Sequence, residues 1–446
     1  MIGWGYIMLA TRLLLILIAA SVLPTGAALA DDASVLPKGR FSLGVEDRIF
    51  FPTDERYGPD GEVEDLAGAF NNRRLDSTVF SSLAPLNALV PGGIASIGDS
   101  SVHYEYHYNI LLFTAAYGIT DRLSVGIEVP YYWVRNEVDA SVNSAPGSSA
   151  NVGLRTGPGP GPCAALVPVL PLTCPNTRRF TTEDVQQILG PGLNGIPGFG
   201  LKRIKGFSAD GFGDITLGAK YQYLRTEDWR LAATLGLRLP TGRQDDPDNL
   251  TDIAWSTGAY ILQARLHHDY VVSNLWQDRS TTAERGVGLR TGDAIVNFTF
   301  RYDWFLPDNV TIRAGQENAL PTSRARVRRD IGDRFELELG GRWVVWSPFS
   351  VSALYRYTFK LEDRIDGPGG FPNNLAEEDT DATEHIYIVQ LNYSTLPLYR
   401  QKRFPLPLNL YVSYRDRFAG SGSRASGSPS QVLKAQYVGI GVQVLF

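Results

Sequence analysis

Beyond residue 40, apolar and polar positions alternate with a period of two through most of the chain. Runs of this kind fall near 40–50, 103–117, 122–135, 212–224, 230–240, 254–266, 269–277, 292–304, 309–317, 333–346, 349–361, 384–396, 406–417 and 431–446, and each predicts a β-strand with two unlike faces. Leu231, Ala233, Leu235, Leu237 and Leu239 form one face, against Ala232, Thr234, Gly236 and Arg238. Ala294, Val296, Phe298, Phe300, Tyr302 and Trp304 oppose Asn297, Thr299, Arg301 and Asp303. The last strand sets Val438, Ile440, Val442, Val444 and Phe446 against Gly439, Gly441, Gln443 and Leu445.

Connections between the runs alternate in length. Tight turns are expected at Gly118-Ile119-Thr120-Asp121, Arg225-Thr226-Glu227-Asp228, Leu306-Pro307-Asp308-Asn309 and Ser347-Pro348, all rich in turn-forming residues. Long polar stretches occupy 51–102, 136–211, 241–253, 278–291, 318–332, 362–383 and 418–430. Short turns at one end and long loops at the other are the pattern of an antiparallel transmembrane β-barrel, with the turns periplasmic and the loops extracellular. The expected fold class is therefore all-β, with about fourteen strands. The first strand and the break around His267-His268-Asp269 are the least regular, so twelve is the other even count.

Both ends of the chain fit export to an outer membrane. Arg12 precedes the apolar run 13–20, and Ala28, Leu29 and Ala30 precede Asp31 and Asp32, as in a secretory signal cleaved after residue 30. Either Met1 or Met8 could be the start. After residue 30 no continuous apolar run is long enough for a membrane helix, which leaves a closed barrel as the way to span lipid. The terminal strand ending in Phe446 resembles the signal read by the barrel assembly machinery. Residues 31–446 are thus expected to form one barrel in the outer membrane of a Gram-negative bacterium, in contact with lipid and lipopolysaccharide.

Composition is compatible with that picture. The mean hydropathy of −0.12 is too polar for a helical membrane protein and ordinary for a wall with one wet face. The net charge of −5 and the lack of a basic block exclude nucleic acid as an expected partner.

Three stretches carry a family resemblance. Tyr117-Gly118-Ile119-Thr120-Asp121-Arg122-Leu123-Ser124-Val125-Gly126, running into Val129-Pro130-Tyr131-Tyr132, resembles a recurring hairpin of the MetA-pathway of phenol degradation family. Gly211-Phe212-Gly213-Asp214-Ile215-Thr216-Leu217-Gly218-Ala219-Lys220-Tyr221 is similar to that family's Gly-x-Gly-Asp strand, and the strand ending in Leu239-Pro240-Thr241-Gly242 is similar as well. The resemblance spans roughly residues 103–304. It implies a transporter-like outer-membrane barrel that passes small, aromatic or hydrophobic solutes, with no catalytic motif and no cofactor.

Candidate chemistry is sparse. Gly211-Phe212-Gly213 is followed by no helix, so it reads as a bend at the barrel entrance rather than a phosphate loop. His103, Glu105 and His107 share one strand face, but no third histidine or cysteine lies nearby. They read as polar groups at the loop end of a lumen-facing strand, and no metal is expected. Cys163 and Cys174, both in the 136–211 loop, are expected to form a disulfide in the oxidising exported compartment. Thr181, with Glu183, Asp184 and Gly190, marks a capped helix in the same loop. That loop either folds over the pore or shields its rim.

The alternation predicts a charged lumen lined by Glu128, Lys220, Arg238, Arg265, Arg301, Arg313, Glu336, Glu338, Arg342, Arg356, Lys360 and Arg415. Around the Ser347-Pro348 turn, Glu338 should lie opposite or near Arg356 and Glu336 near Lys360. Such charges suit a polar conduit, and they equally suit a salt ladder that fills the barrel. Fourteen strands would leave an interior too wide for side chains alone, and no plug domain is visible before residue 40. The function expected is a passive channel. The alternatives are an outer-membrane lipase or protease, for which no Gly-x-Ser-x-Gly elbow is present, and a non-conducting structural or adhesive barrel.

Overall fold

A computed structural model of the chain describes residues 32–276, 291–315, 320–424 and 430–446. The export signal expected over residues 1–30 lies outside the described residues. Twelve antiparallel strands close into a barrel: β1 (Phe41–Phe50), β2 (Asp99–Thr120), β3 (Leu123–Asn143), β4 (Ile215–Arg225), β5 (Trp229–Leu239), β6 (Ile261–Tyr270), β7 (Ala294–Phe305), β8 (Arg334–Trp346), β9 (Phe349–Lys360), β10 (Ala382–Ser394), β11 (Leu408–Ser421) and β12 (Gln436–Leu445). Each pairs with its neighbours in sequence, and β12 pairs with β1 to close the ring. A further strand, Phe207–Phe212, pairs only with the upper part of β3.

The count is thus the lower of the two expected, and two readings are corrected. His267, His268 and Asp269 do not split two strands but lie within β6. His267 points inward and meets the Thr234 hydroxyl at 2.8 Å, while His268 points outward and stacks on Phe298. A polar residue on the wet face of a wall strand imitates a break. The run 309–317 is not a wall strand either: Asp308–Ala314 pairs with Ser323–Asp330 in a ribbon above the barrel. Period-two alternation does not distinguish a wall strand from a short ribbon in a loop. Consequently β7 runs opposite to the direction that the pattern of turns predicts. Leu306-Pro307-Asp308-Asn309 lies at the long-loop end, and the connection 271–293 lies at the turn end; of the expected long stretch 278–291, residues 278–290 lie outside the described residues.

The outer surface of the wall is apolar. Leu235 is 70% exposed and Leu391 62%, and Leu339, Trp343, Ile440 and Val412 are likewise exposed on the same face. No helix among the described residues is long and apolar enough to cross a membrane. An exposed apolar band on a closed wall whose backbone bonds are all paired strand to strand is a lipid-facing surface.

The most extensive buried apolar cluster among the described residues is not in the wall. It joins Leu75, Phe80, Leu83, Leu86 and Ile97 of the first loop to Val152, Leu154, Phe180, Val185, Ile188 and Leu201 of the second. Within the second loop, Cys163 and Cys174 are bonded, with Cα atoms 5.7 Å apart. Helix α1 (Thr182–Leu189) begins with a capping box in which the Thr181 hydroxyl accepts from the Asp184 amide and the Asp184 carboxylate accepts from the Thr181 amide. The loops together form a small folded cap with its own dry core. The expected loop 136–211 is trimmed at both ends, since β3 continues to Asn143 and 207–212 is paired.

Candidate solute path through the barrel

Alternation along the wall places eleven of the twelve predicted lumen residues on the inner face. Glu128, Lys220, Arg238, Arg265, Arg301, Glu336, Glu338, Arg342, Arg356, Lys360 and Arg415 occupy inward positions on β3 to β9 and β11. Arg313 does not. It sits on the ribbon above the barrel, where its Nε donates to Asp248 Oδ1 at 2.8 Å and ties the third loop to the fourth.

One side of the lumen, from β7 to β9, is a connected ion network. Asp303 is fully buried and receives two bonds from Arg301, both 2.7 Å, and further bonds from Arg334. Arg301 Nη1 lies 3.7 Å from Glu336, and Arg356 Nε lies 3.5 Å from the same carboxylate. Arg356 Nε donates to Glu338 Oε1 at 2.6 Å across the strand pair. Charges so far from bulk water are tolerated only when several partners share them. Glu336 faces Thr358 rather than Lys360, which pairs instead with Asp363 and the Thr380 carbonyl. A bulge between Val344 and Trp346 sets this register. The extra residue keeps both acidic side chains on the inner face. Asp303, on the polar face of its strand, and Arg334 are not among the predicted lumen charges, although both stand at inward positions.

The other side, from β12 to β3, is aromatic. Phe50 stacks on Tyr108 with ring centroids 3.9 Å apart and touches Tyr437 at 4.7 Å. Ile110 and Tyr132 continue the surface. Higher up, Leu66 of the first loop and Ile253 of the third pack on inward-facing Tyr106 and Val134, and Trp255 stacks on Tyr132. These loops therefore narrow the outer mouth from within. In this upper part the inner face of β2 is tyrosine, and His103, Glu105 and His107 point outward. They are therefore not lumen groups, contrary to the expectation from the alternation. Glu105, His107 and Glu137 of β3 bring one ligand atom each within 4.8 Å of one another, but Arg135 already holds Glu137 at 2.6 Å.

The turn end is obstructed by the chain itself. Residues 32–40 enter the mouth ahead of β1. The Ala33 amide donates to Asp269 of β6 at 3.0 Å, and its carbonyl accepts from Gln222 of β4 at 2.7 Å. Lys220 donates to the Asp32 carbonyl at 2.7 Å, and the Leu36 amide donates to Ser124 of β3 at 2.8 Å. This strap is a constriction with no signature in the sequence, because its bonds are largely to backbone groups of an unpatterned segment.

Two of the stretches that carry the family resemblance, 211–221 and 239–242, meet at one end of the wall. The Thr241 hydroxyl donates to the Gly213 carbonyl at 2.7 Å, and the Gly242 amide donates to Asp214 at 3.0 Å. At Gly213 a β-carbon would lie 2.4 Å from the Tyr132 ring, so the bend between Phe207–Phe212 and β4 requires glycine.

The family described as putative MetA-pathway of phenol degradation matches residues 184–264, which include both of these stretches but not the 117–132 hairpin. No curated protein matches the sequence. Among solved structures, the chain is similar to an outer membrane channel from Pseudomonas putida F1 at 16% identity, covering 94% of this chain and 100% of that one with a TM-score of 0.46. It is also similar to the toluene transporter TbuX of Ralstonia pickettii (11% identity, 93% and 92% covered, TM-score 0.33). A FadL homologue of Pseudomonas aeruginosa is comparable (10% identity, 95% and 98% covered, TM-score 0.33).

Proposed function

We propose that this chain, residues 31–446 after removal of the export signal, is an outer-membrane channel through which small solutes pass without energy coupling. The observation that carries the reading is the asymmetric lumen: an ion network on β7 to β9 facing an aromatic surface on β12 to β3, constricted by loops above and the strap below. A wall that only had to stand in lipid would need neither half. The cargo we assign is small and aromatic or otherwise hydrophobic, in keeping with the family matched over 184–264. The Phe446 strand is assigned to recognition by the barrel assembly machinery, and loss of Phe446 should lower the heat-modifiable barrel recovered in outer-membrane fractions.

The direct test is conductance of the purified protein in a planar bilayer. Deleting residues 32–38 removes the bonds to Lys220, Gln222 and Asp269 and should raise single-channel current several-fold without unfolding the wall. Absence of current from both the full chain and the deletion variant would sink the channel reading.

A further inference from the structure

Arg415 differs from the other arginines of the ion network. Arg301, Arg334 and Arg356 each contact a carboxylate, and Arg417, two residues away on the same face, binds Glu384 at 2.8 Å. Among the described residues Arg415 has no carboxylate contact, and its Nε is buried without a hydrogen-bond partner. Its neighbours in register are Ile388 on β10 and Tyr437 on β12, so neither residue directly opposite is a carboxylate, and Glu384 farther along β10 is already bound by Arg417. Its guanidinium lies over the Tyr437 ring, 5.5 Å from the centroid. Arg48 approaches the same ring at 5.7 Å, but Glu46 neutralises it at 2.9 Å. From Tyr437 the aromatic surface continues through Phe50 to Tyr108. A half-buried cation between apolar neighbours is costly unless an anion or water completes it. Guanidinium is also the group best shaped to hold a carboxylate through paired N–H donors.

We propose that Arg415, Tyr437, Phe50 and Tyr108 form a subsite for a small organic carboxylate with a flat apolar body. The carboxylate pairs with Arg415, and the ring or short chain lies along the Phe50 and Tyr108 rings. This deepens the channel reading and rests on it for its biological role, because it restricts the hydrophobic cargo to its anionic members. A neutral hydrocarbon would leave the guanidinium unpaired, and an anion without an apolar body would leave the aromatic surface unused.

The test measures binding and current separately, with benzoate as the probe and acetate and benzamide as the two partial analogues. In calorimetry on the detergent-purified full chain, benzoate should bind at least about tenfold more tightly than either analogue. Arg415→Gln should remove that preference, and Arg415→Lys should restore part of it. Phe50→Leu should weaken benzoate while leaving acetate unchanged. In a bilayer, millimolar benzoate should interrupt the chloride current of the native chain and not that of Arg415→Gln. Equal binding of benzamide and benzoate, or benzoate binding unaffected by Arg415→Gln, overturns the subsite. Arg415-dependent binding in a protein that carries no current would keep the subsite and remove the channel reading. Current without benzoate binding would do the reverse.

Discussion

The lower and upper halves of the β2–β3 hairpin are built on one unbroken register, from Gly118 opposite Ser124 up to Asp99 opposite Asn143, yet they obey opposite rules. In the lower half the outward residues are Phe113, Tyr117, Val125, Ile127 and Val129, while Thr114, Ser124 and Glu128 face inward. In the upper half the outward residues are His103, Glu105, His107, Arg135, Glu137 and Asp139. There Tyr104, Tyr106 and Val134 face inward, packed against loop residues Leu66 and Ile253. The backbone does not change; its surroundings do. Where lipid lies outside and water inside, the apolar face turns out. Where water lies outside and a packed cap inside, it turns in. The membrane boundary is thus written along a single strand as a change of sign in its alternation, near Ile110 and Tyr132.

The comparison can be broken most severely in the lower half. Ile127 and Leu217 are outward cross-strand neighbours, and replacing both with arginine should cost about 2–4 kcal/mol at each site near the bilayer midplane. The expected result is loss of the heat-modifiable barrel from outer-membrane fractions. A normal yield of folded protein would mean that this face does not meet lipid.

The cap should respond as a soluble core does. Leu154 is almost fully buried among first- and second-loop residues, and Leu154→Ala should destabilise the cap by about 3 kcal/mol. Protease should then cut the second loop much faster, with the wall still heat-modifiable. Coupled loss of cap and wall would show that the two are not separate folding units.

A smaller effect concerns the cap's response to acid. The Arg178 guanidinium, bonded to Asp184 at 2.6 and 2.8 Å, and the bonds from Thr181 hold the Asp184 carboxyl down to about 2. A carboxyl depressed in the folded state stabilises above its ordinary value near 4 and loses that contribution as the pH falls toward 2. Protease resistance of the second loop should therefore decline between about pH 4 and 2, and Asp184→Asn should flatten the decline.

The smallest effect is expected at the hairpin's upper outward face. Glu137→Gln removes one member of the like-charged Glu105–Glu137 pair in water and should change stability by no more than about 0.5 kcal/mol. A loss comparable to that at Ile127 would place this stretch inside the membrane and move the boundary upward.

Much of the wall was legible in the sequence because a strand in lipid must alternate, and alternation survives any tertiary context that keeps one face wet. The faces of β5, β7, β9 and β12 follow directly from that rule, as does the opposition of Glu338 and Arg356 once the bulge is allowed for. The rule failed where the two sides of a strand were not lipid and water. It took the loop ribbon carrying Arg313 for a wall strand, and it took polar His267 for a break.

By itself, then, the sequence determined that the chain is an antiparallel barrel with a greasy exterior and a charged interior. It also marked Cys163, Cys174 and the helix opening at Thr182 as parts of a structured loop. Only the tertiary structure decided that twelve strands close the ring and that residues 32–40 turn back into its mouth. Only there do the aromatic and ionic halves of the lumen face each other, leaving Arg415 between apolar neighbours. The physical reason is range. Alternation is a local property set by the two media beside each strand, whereas closure, obstruction and charge pairing depend on which distant segments meet inside the ring.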